Sequence, residues 1–129
     1  MIIINFAHPI TSEHQAEIEK CTGQSIEQII EVSSQVDTKR PLATQVQEMV
    51  QQVGLSPANW QTRPIVINPP ALNFSALVLI AELHGRMGYF PPIIRIKPVA
   101  NAVPRRFEVA EIIDLQNTRE AARTRRQAQ

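Results

Sequence analysis

The feature that most constrains this fold is a strand, loop and helix stretch that occupies residues 65–88. The β-branched run Ile65-Val66-Ile67 has the composition of a strand buried on both faces. Pro69 and Pro70 end that strand because proline has no backbone N–H to donate. A helix is then predicted, with Asn73 or Ser75 as its N-cap. The connecting loop follows the carboxyl end of a buried strand, where open α/β sheets bind ligands.

The remaining sequence alternates between further strands and helices. Strands are predicted at 2–6, 26–33, 93–97 and 107–113, and helices at about 11–22, 41–53 and after Asp114, with one short turn at 56–60. Thr11 or Ser12 is the expected cap of the first helix, and Ser12 with Gln15 matches a capping box. This order predicts an open, mostly parallel α/β sheet of about five strands with helices on both faces, the last strand antiparallel, in a single domain spanning 1–129.

Composition also predicts which strands are central. The segments 2–6 and 65–67 are the most uniformly apolar, whereas 26–33 mixes polar and apolar residues. We therefore expect 26–33 at the edge and the first and third strands side by side, which is a flavodoxin-like order. Two loops, Asn5 to Ser12 and Asn68 to Ser75, then meet at the topological switch point. Each loop leads into the N-terminus of a helix, where free N–H groups favour anions.

Net charge, cysteine content and the length of apolar runs exclude several classes of protein. The formal net charge of +1 predicts no general field for polyanions. Cys21 is the single cysteine, so no internal disulfide is possible and a reducing cytoplasm is expected. The start of the chain lacks a basic leader, and the uncharged run 71–81 is far shorter than the ~20 residues of a membrane span. A cytoplasmic protein without membrane association is predicted.

The motifs of cofactor-dependent chemistry are absent from the sequence. It contains no GxGxxG, P-loop, GxSxG or CxxC pattern, no HxxxH pair and no acidic cluster with metal spacing. We therefore expect no metal and no dinucleotide cofactor.

Candidate site residues lie in the two crevice loops. His8 would donate a hydrogen bond to a phosphate or act as an acid or base. An equally good interpretation is that its side chain only forms hydrogen bonds with the backbone of the loop. Three asparagines would form hydrogen bonds with the edges of a nucleobase or a ribose: Asn5, Asn68 and Asn73. Asn is also common in turns simply because it tolerates turn conformations. Gly85, inside the central helix, suggests close packing, including against a partner chain.

Further charged groups lie outside these loops. A surface ion pair is the expected state of Glu82 and Arg86, at i,i+4 spacing. The arginines of 105–106 and 119–126 would meet phosphates or form a solvated face.

Three stretches, MIIINFAHPIT, AELHGRMG and FPPIIRI, resemble a small family of accessory proteins of type III CRISPR systems. That family is similar to CRISPR-associated Rossmann-fold (CARF) domains, which bind cyclic oligoadenylate messengers as dimers. The resemblance implies a Rossmann-like, CARF-like fold and a homodimer or larger homo-oligomer with no long nucleic acid bound. It also implies these ligand-binding positions: Asn5, Phe6, Ala7, His8, Pro9, Asn68, Pro69, Asn73 and Ser75.

The function expected from this resemblance is antiviral signal damping. The protein would bind a cyclic oligoadenylate, with cyclic tetra-adenylate favoured, in a dimer crevice and lower its free concentration by sequestration. One alternative is a metal-independent ring nuclease that leaves a 2′,3′-cyclic phosphate, with His8 as the candidate catalytic residue; the crevice loops hold no Lys or Arg that would form a catalytic pair with it. Another is a non-catalytic protein-interaction or assembly module.

Overall fold

The sheet is built from short, deeply buried strands, as the apolar runs predict. The computed structural model describes residues 1–127. Its strands are β1 (Ile2–Asn5), β2 (Gln28–Glu31), β3 (Ile65–Asn68), β4 (Ile93–Pro98) and β5 (Phe107–Ile113). Its helices are α1 (Ser12–Thr22), α2 (Leu42–Gln52), α3 (Pro57–Thr62), α4 (Asn73–Met87) and α5 (Leu115–Gln127).

The strand order is β2-β1-β3-β4-β5, with β1, β2, β3 and β4 parallel and β5 antiparallel to β4. This confirms the predicted mixed α/β sheet, the central first and third strands, the outer second strand and the antiparallel last strand. Both central strands are buried along their whole length. The register places Asn5 directly beside Asn68 at the carboxyl ends of β1 and β3.

Helices cover both faces of the sheet. One core cluster joins the sheet to α2, α3 and α4, and includes Trp60 and Leu79. The second cluster lies on the α1 side, around Ile3, Ile18 and Ile94. The division follows from right-handed crossovers, because the β1–α1–β2 and β2–α2–α3–β3 connections run in opposite directions along the sheet. The last helix, α5, makes few contacts with any other element of the described chain.

Helix caps differ from the sequence prediction at two places. Thr11, and not Ser12, caps α1, and the capping box is completed by His14 and not by Gln15. Helix α4 begins after Leu72, which makes no side-chain cap bond, so neither Asn73 nor Ser75 is its N-cap. Asp114, in contrast, accepts from the Asn117 N–H at 2.9 Å and caps the last helix as predicted.

Helix α4 buries only part of its apolar surface. Leu79, Leu83 and Met87 are buried, whereas Phe74 and Leu77 are 64% and 68% exposed. The helix is apolar almost all round, so its sequence does not define a single buried side. Gly88 ends α4 in the left-handed region at φ 84°, as expected of a C-terminal glycine.

Within residues 1–127, no helix is both long and apolar enough to cross a bilayer.

Candidate functional site

A large cleft opens at the carboxyl edge of the sheet. Strand β4 pairs with β3 at a single position, Ile67 beside Ile93, so β4 begins where β3 ends and continues past the sheet edge. The β4–β5 hairpin therefore stands beside the two crevice loops as a wall. The cleft has a volume of about 940 Å³ and is lined by Ala7, His8, Pro9, Thr11, Glu13, His14, Asn68, Pro69, Ala71, Ile93, Ile94, Arg95, Ile96, Arg106, Phe107 and Ile113.

Asn5 holds the floor of this cleft together. Its side chain is fully buried, and its Nδ2 donates to the His8 carbonyl at 2.9 Å and to Glu31 Oε2 at 2.8 Å. Its Oδ1 accepts from the Ala7 N–H at 3.0 Å and from Asn68 Nδ2 at 2.9 Å. All the polar capacity of this amide is used inside the protein. Asn5 therefore organises the two loops, and its side chain has no donor left for a ligand.

The first crevice loop divides into a buried and an exposed part. Phe6 is 1% exposed and packs in the hydrophobic core, so its ring has no open face for a base. Ala7, His8 and Pro9 line the cleft, and the side chains of His8 and Pro9 are exposed. The fixed carbonyl of His8 anchors this loop to Asn5. Of the residues implied here by the resemblance, three reach the cleft surface.

The loop after β3 divides in the same way. Asn68 and Pro69 line the cleft, with Ala71 beside them. Asn73 is exposed at the start of α4, where its Oδ1 accepts from the Phe74 N–H at 2.8 Å. Ser75 is fully buried, and among the described residues its hydroxyl has no hydrogen-bond partner. Neither Asn73 nor Ser75 is part of the cleft lining.

The N-terminus of α1 contributes residues that sequence reasoning did not assign to the site. Thr11, Glu13 and His14 all line the cleft. The Thr11 N–H donates to His14 Nδ1 at 3.3 Å, and His14 Nε2 lies 2.9 Å from the Phe107 carbonyl. An acceptor at Nδ1 requires the proton on Nε2, so this geometry assigns the neutral Nε2–H tautomer. His14 thus ties α1 to the hairpin wall and has both ring nitrogens occupied.

The hairpin supplies the positive charge that the crevice loops lack. Arg95 and Arg106 both line the cleft. Arg95 is paired with Glu111 at 2.7 Å, whereas Arg106 forms no ion pair within the described part of the chain. The Arg106 carbonyl accepts from the Val99 N–H at 2.9 Å, so its backbone is fixed while its guanidinium is available. The signal in the sequence was the pair at 105–106, but only the hairpin geometry selects one of the two.

Among the described residues, two titratable groups have clearly shifted pKa values, and both lie outside the cleft lining. Burial raises the pKa of the Tyr89 phenol above its ordinary value. The hydrogen bond from Arg119 lowers the pKa of the Glu120 carboxyl on the exposed surface of α5. Among the residues that the structure describes, no group of three or more His, Cys, Asp or Glu side chains is placed to hold a metal ion.

The chemistry of the cleft suits a ligand with both apolar rings and anionic groups. Isoleucines and Phe107 give broad apolar walls, while Arg106 and His8 supply polar contacts at the rim. The N-terminus of α4 has no side-chain cap bond and follows directly from the loop through Ala71. Its first-turn N–H groups, apart from that of Phe74, which donates to Asn73 Oδ1, add a weak preference for negative charge.

No protein-family model, no curated protein and no solved structure matches this chain. Its class is therefore defined by its own geometry: an α/β protein with a Rossmann-like open sheet and a cleft at the topological switch point.

Proposed function

We propose that this protein binds a cyclic oligoadenylate, most simply cyclic tetra-adenylate, at the carboxyl edge of its sheet and sequesters it. Through its resemblance to the CARF-like accessory proteins, this would damp type III CRISPR signalling in the cytoplasm. The observation that carries the proposal is the 940 Å³ cleft at the β1–β3 switch point, which combines apolar walls with an arginine that has no ion-pair partner among the described residues. A volume of that size fits a ligand larger than a mononucleotide fragment.

Each part of a nucleotide ligand has a matching group in the cleft. Arg106 would contact a phosphate, since a guanidinium offers two parallel donors to its oxygens. Phe107, 47% exposed, would stack on adenine in place of Phe6, whose ring is buried. His8 would donate a further hydrogen bond from the first loop. Glu13 also lines the cleft, and its carboxylate would repel any phosphate placed at the α1 end. The phosphates are therefore expected at the hairpin and α4 side.

The symmetry of the ligand bears on assembly. A cyclic tetranucleotide has rotational symmetry, so a twofold dimer would present two copies of one loop set to it. The loop at 68–72 and the N-terminus of α4 would then be repeated on both sides of the ring. A homodimer is accordingly part of the proposal.

Cleavage is the second candidate, and the position of Arg106 is the observation that favours it. In such a reaction the 2′-oxygen of one nucleotide attacks the adjacent phosphorus, the bond from phosphorus to the 5′-oxygen breaks, and a 2′,3′-cyclic phosphate and a 5′-hydroxyl form. His8 would take the 2′-hydroxyl proton, water would protonate the departing 5′-oxygen, and Arg106 would stabilise the charge that develops on the phosphate. His14 would not take that proton, because both of its ring nitrogens are already engaged in hydrogen bonds.

Replacing Arg106 tests whether the cleft binds the anion. Arg106→Gln should weaken binding of cyclic tetra-adenylate by about 10- to 100-fold, the cost of a lost hydrogen bond to a charged group. Arg105→Gln is the matched control, because Arg105 is exposed on the same hairpin but lies outside the cleft lining. It should change affinity by no more than a few-fold. Equal losses in both variants would indicate general attraction and would overturn the assignment of this cleft.

Replacing His8 separates sequestration from cleavage. As a binding donor, its loss in His8→Ala should cost affinity by the ~1–3 kcal/mol of a charge-assisted hydrogen bond, and slow cleavage would fall only with occupancy. As an acid or base, its loss should reduce single-turnover cleavage at saturating ligand by ~10²–10⁴-fold with affinity nearly unchanged. We expect the first outcome. Substantial cleavage by the parent protein, abolished in His8→Ala with binding retained, would contradict sequestration.

A further inference from the structure

The outer edge of β5 is bound by two side chains of α1. Strand β5 lies at the edge of the sheet, where outward backbone N–H and C=O groups face no neighbouring strand. Glu17 Oε2 accepts from the Val109 N–H at 2.6 Å, and His14 Nε2 donates to the Phe107 carbonyl, 2.9 Å away. His14 and Glu17 are three residues apart on α1, so they lie on the same side of that helix. We call these two side chains the β5 latch.

The β5 latch occupies positions that a further strand would fill. Successive residues of a strand direct their backbone groups to alternate sides. The Arg106 carbonyl accepts from the Val99 N–H at 2.9 Å, so residue 106 bonds across the hairpin toward β4. Phe107 and Val109 alternate with residues that face β4, and each gives one outward backbone group to the latch. Helix α1 thus supplies one donor and one acceptor in place of a neighbouring strand.

The β4–β5 hairpin joins the rest of the sheet over a short length. Strand β4 pairs with β3 at a single position, Ile67 beside Ile93. Apolar packing against the α1-side core cluster holds the hairpin as well, but such packing is not directional. A hydrogen bond, in contrast, fixes the distance and the angle between two groups. The β5 latch therefore determines where the hairpin lies along α1. The apolar residues of the hairpin in this cluster are Ile94, Ile96, Val109 and Ile112.

We propose that the β5 latch positions the hairpin wall of the cleft, and that Glu17 is a positioning residue that touches no ligand. This inference rests on the proposed function, because the hairpin carries the groups assigned to phosphate and adenine. Phe107 is itself bonded by the latch, and Arg106 is the residue before it. His14 lines the cleft, whereas Glu17 lies outside its lining. An effect of Glu17 on the position of ligand groups therefore passes through the hairpin.

The Glu17 carboxylate serves this one bond. It is half-buried, and within the described part of the chain it forms no ion pair. A carboxylate on a backbone N–H is a charge-assisted hydrogen bond, which is stronger than a neutral one. The amide oxygen of Gln can accept from the same N–H, whereas Ala cannot. Two variants, Glu17→Gln and Glu17→Ala, therefore separate loss of the charge from loss of the acceptor.

Amide hydrogen exchange of the ligand-free protein, measured residue by residue by NMR, tests the latch directly. In Glu17→Ala the Val109 amide should exchange at least about 10-fold faster because its acceptor is lost, while the amide of Ile4, in the buried central strand, keeps its rate. Glu17→Gln should keep the Val109 rate within about 3-fold of the parent. An unchanged Val109 rate in Glu17→Ala would overturn the latch. So would an equal acceleration at Ile4, which would indicate a general loss of stability.

Binding of cyclic tetra-adenylate tests the positioning role. Glu17→Ala should weaken binding by about 10-fold, because the wall then occupies its binding position for a smaller fraction of the time. Glu17→Gln should bind within about 3-fold of the parent, since the acceptor is kept. Glu48→Ala is the matched control: it removes an exposed carboxylate from α2, outside the cleft lining. It should leave the affinity nearly unchanged.

The sign of the change separates positioning from simple electrostatics. Removing a negative charge near an anionic ligand should strengthen binding. The latch predicts the opposite for Glu17→Ala, and it predicts recovery in Glu17→Gln although the charge is equally lost there. Tighter binding by Glu17→Ala, or an equal loss of affinity in both variants, would contradict the positioning role.

The outcomes also separate this proposal from the proposed function. If the parent protein retains no cyclic adenylate but Val109 exchange rises in Glu17→Ala alone, the latch stands as the contact that fixes the hairpin and the ligand assignment fails. If the parent binds cyclic tetra-adenylate and Glu17→Ala binds it equally tightly, the positioning role is overturned and the ligand assignment stands.

Discussion

Asn5 provides the strongest test of how the cleft is built. Its amide makes four hydrogen bonds, to the His8 carbonyl, Glu31, the Ala7 N–H and Asn68, and it is completely buried. Replacing it in Asn5→Ala removes all four and leaves the Asn68 amide, which is 4% exposed, without that acceptor. The variant should therefore lose both stability and the order of the first loop.

The magnitude follows from the individual bonds. A typical hydrogen bond contributes ~0.5–1.5 kcal/mol net, and a buried group left without a partner costs ~1–3 kcal/mol. Glu31 is exposed and recovers its bond from water, so three neutral bonds remain to be counted. Their loss should lower the free energy of unfolding by about 3–4 kcal/mol. For a chain of this length that is a fall of about 10–15 °C in Tm.

Urea unfolding followed by Trp60 fluorescence measures this loss, with far-UV circular dichroism as the second probe for two-state behaviour. Asn117→Ala is the matched control, because Asn117 is exposed on α5 and its loss should change stability by less than ~0.5 kcal/mol. A loss below ~1 kcal/mol in Asn5→Ala would refute the view that this amide holds the cleft floor.

Three further outcomes are expected. Burial raises the pKa of Tyr89, the single tyrosine, so tyrosinate absorbance should titrate above 10.0 in the folded protein and near 10.0 in urea. Because the folded protein holds the phenol proton more tightly, the free energy of unfolding should fall as the pH rises from the unfolded pKa through the folded pKa. Equal midpoints in the two titrations would contradict the burial. Leu79→Ala should cost ~2–5 kcal/mol in urea unfolding and Leu77→Ala less than ~1 kcal/mol, since one is buried and the other exposed; similar losses would mean that α4 is rotated. Deletion of residues 119–129 should leave ligand affinity within a few-fold because α5 contacts the body little, whereas a large loss with the fold intact would assign the arginines to binding or assembly.

The order of the sheet could be predicted because burial on both faces leaves a clear mark in composition. The strands at Ile2–Asn5 and Ile65–Asn68 contain almost nothing but β-branched residues, and a parallel strand in the centre of a sheet requires this. Gln28–Glu31 carries polar residues at both ends and lies at the edge. These contrasts exist in the sequence before any tertiary contact forms.

Local details that depend on backbone geometry could not be predicted in the same way. A histidine at position 14 completes the capping box of α1, a role that pattern rules reserve for Glu or Gln. Helix α4 starts at Asn73 without a side-chain cap. Its buried side could not be identified either, because a helix that is apolar almost all round has no distinct polar face.

The cleft was partly visible in the sequence. The two crevice loops were located from strand ends and prolines, and Ala7, His8, Pro9, Asn68 and Pro69 do lie along it. The hairpin wall was missed because it arises from the register of β4, which touches β3 at one residue pair and then continues past the sheet. That register is a tertiary property, and it is what brings Arg106 and Phe107 to the site.

The most direct test of the central claim is incubation of the parent protein with cyclic tri-, tetra- and hexa-adenylate in EDTA, followed by separation of bound ligand and its analysis by mass spectrometry. Linear tetra-adenylate is the control for general affinity toward adenine and phosphate. We expect retention of intact cyclic tetra-adenylate, at one ring for two chains, with little of the linear form bound. Rapid conversion to a linear product with a 2′,3′-cyclic phosphate would establish the nuclease alternative. Failure to retain any of the three rings at micromolar protein would contradict the proposed function and leave the cleft to a protein partner.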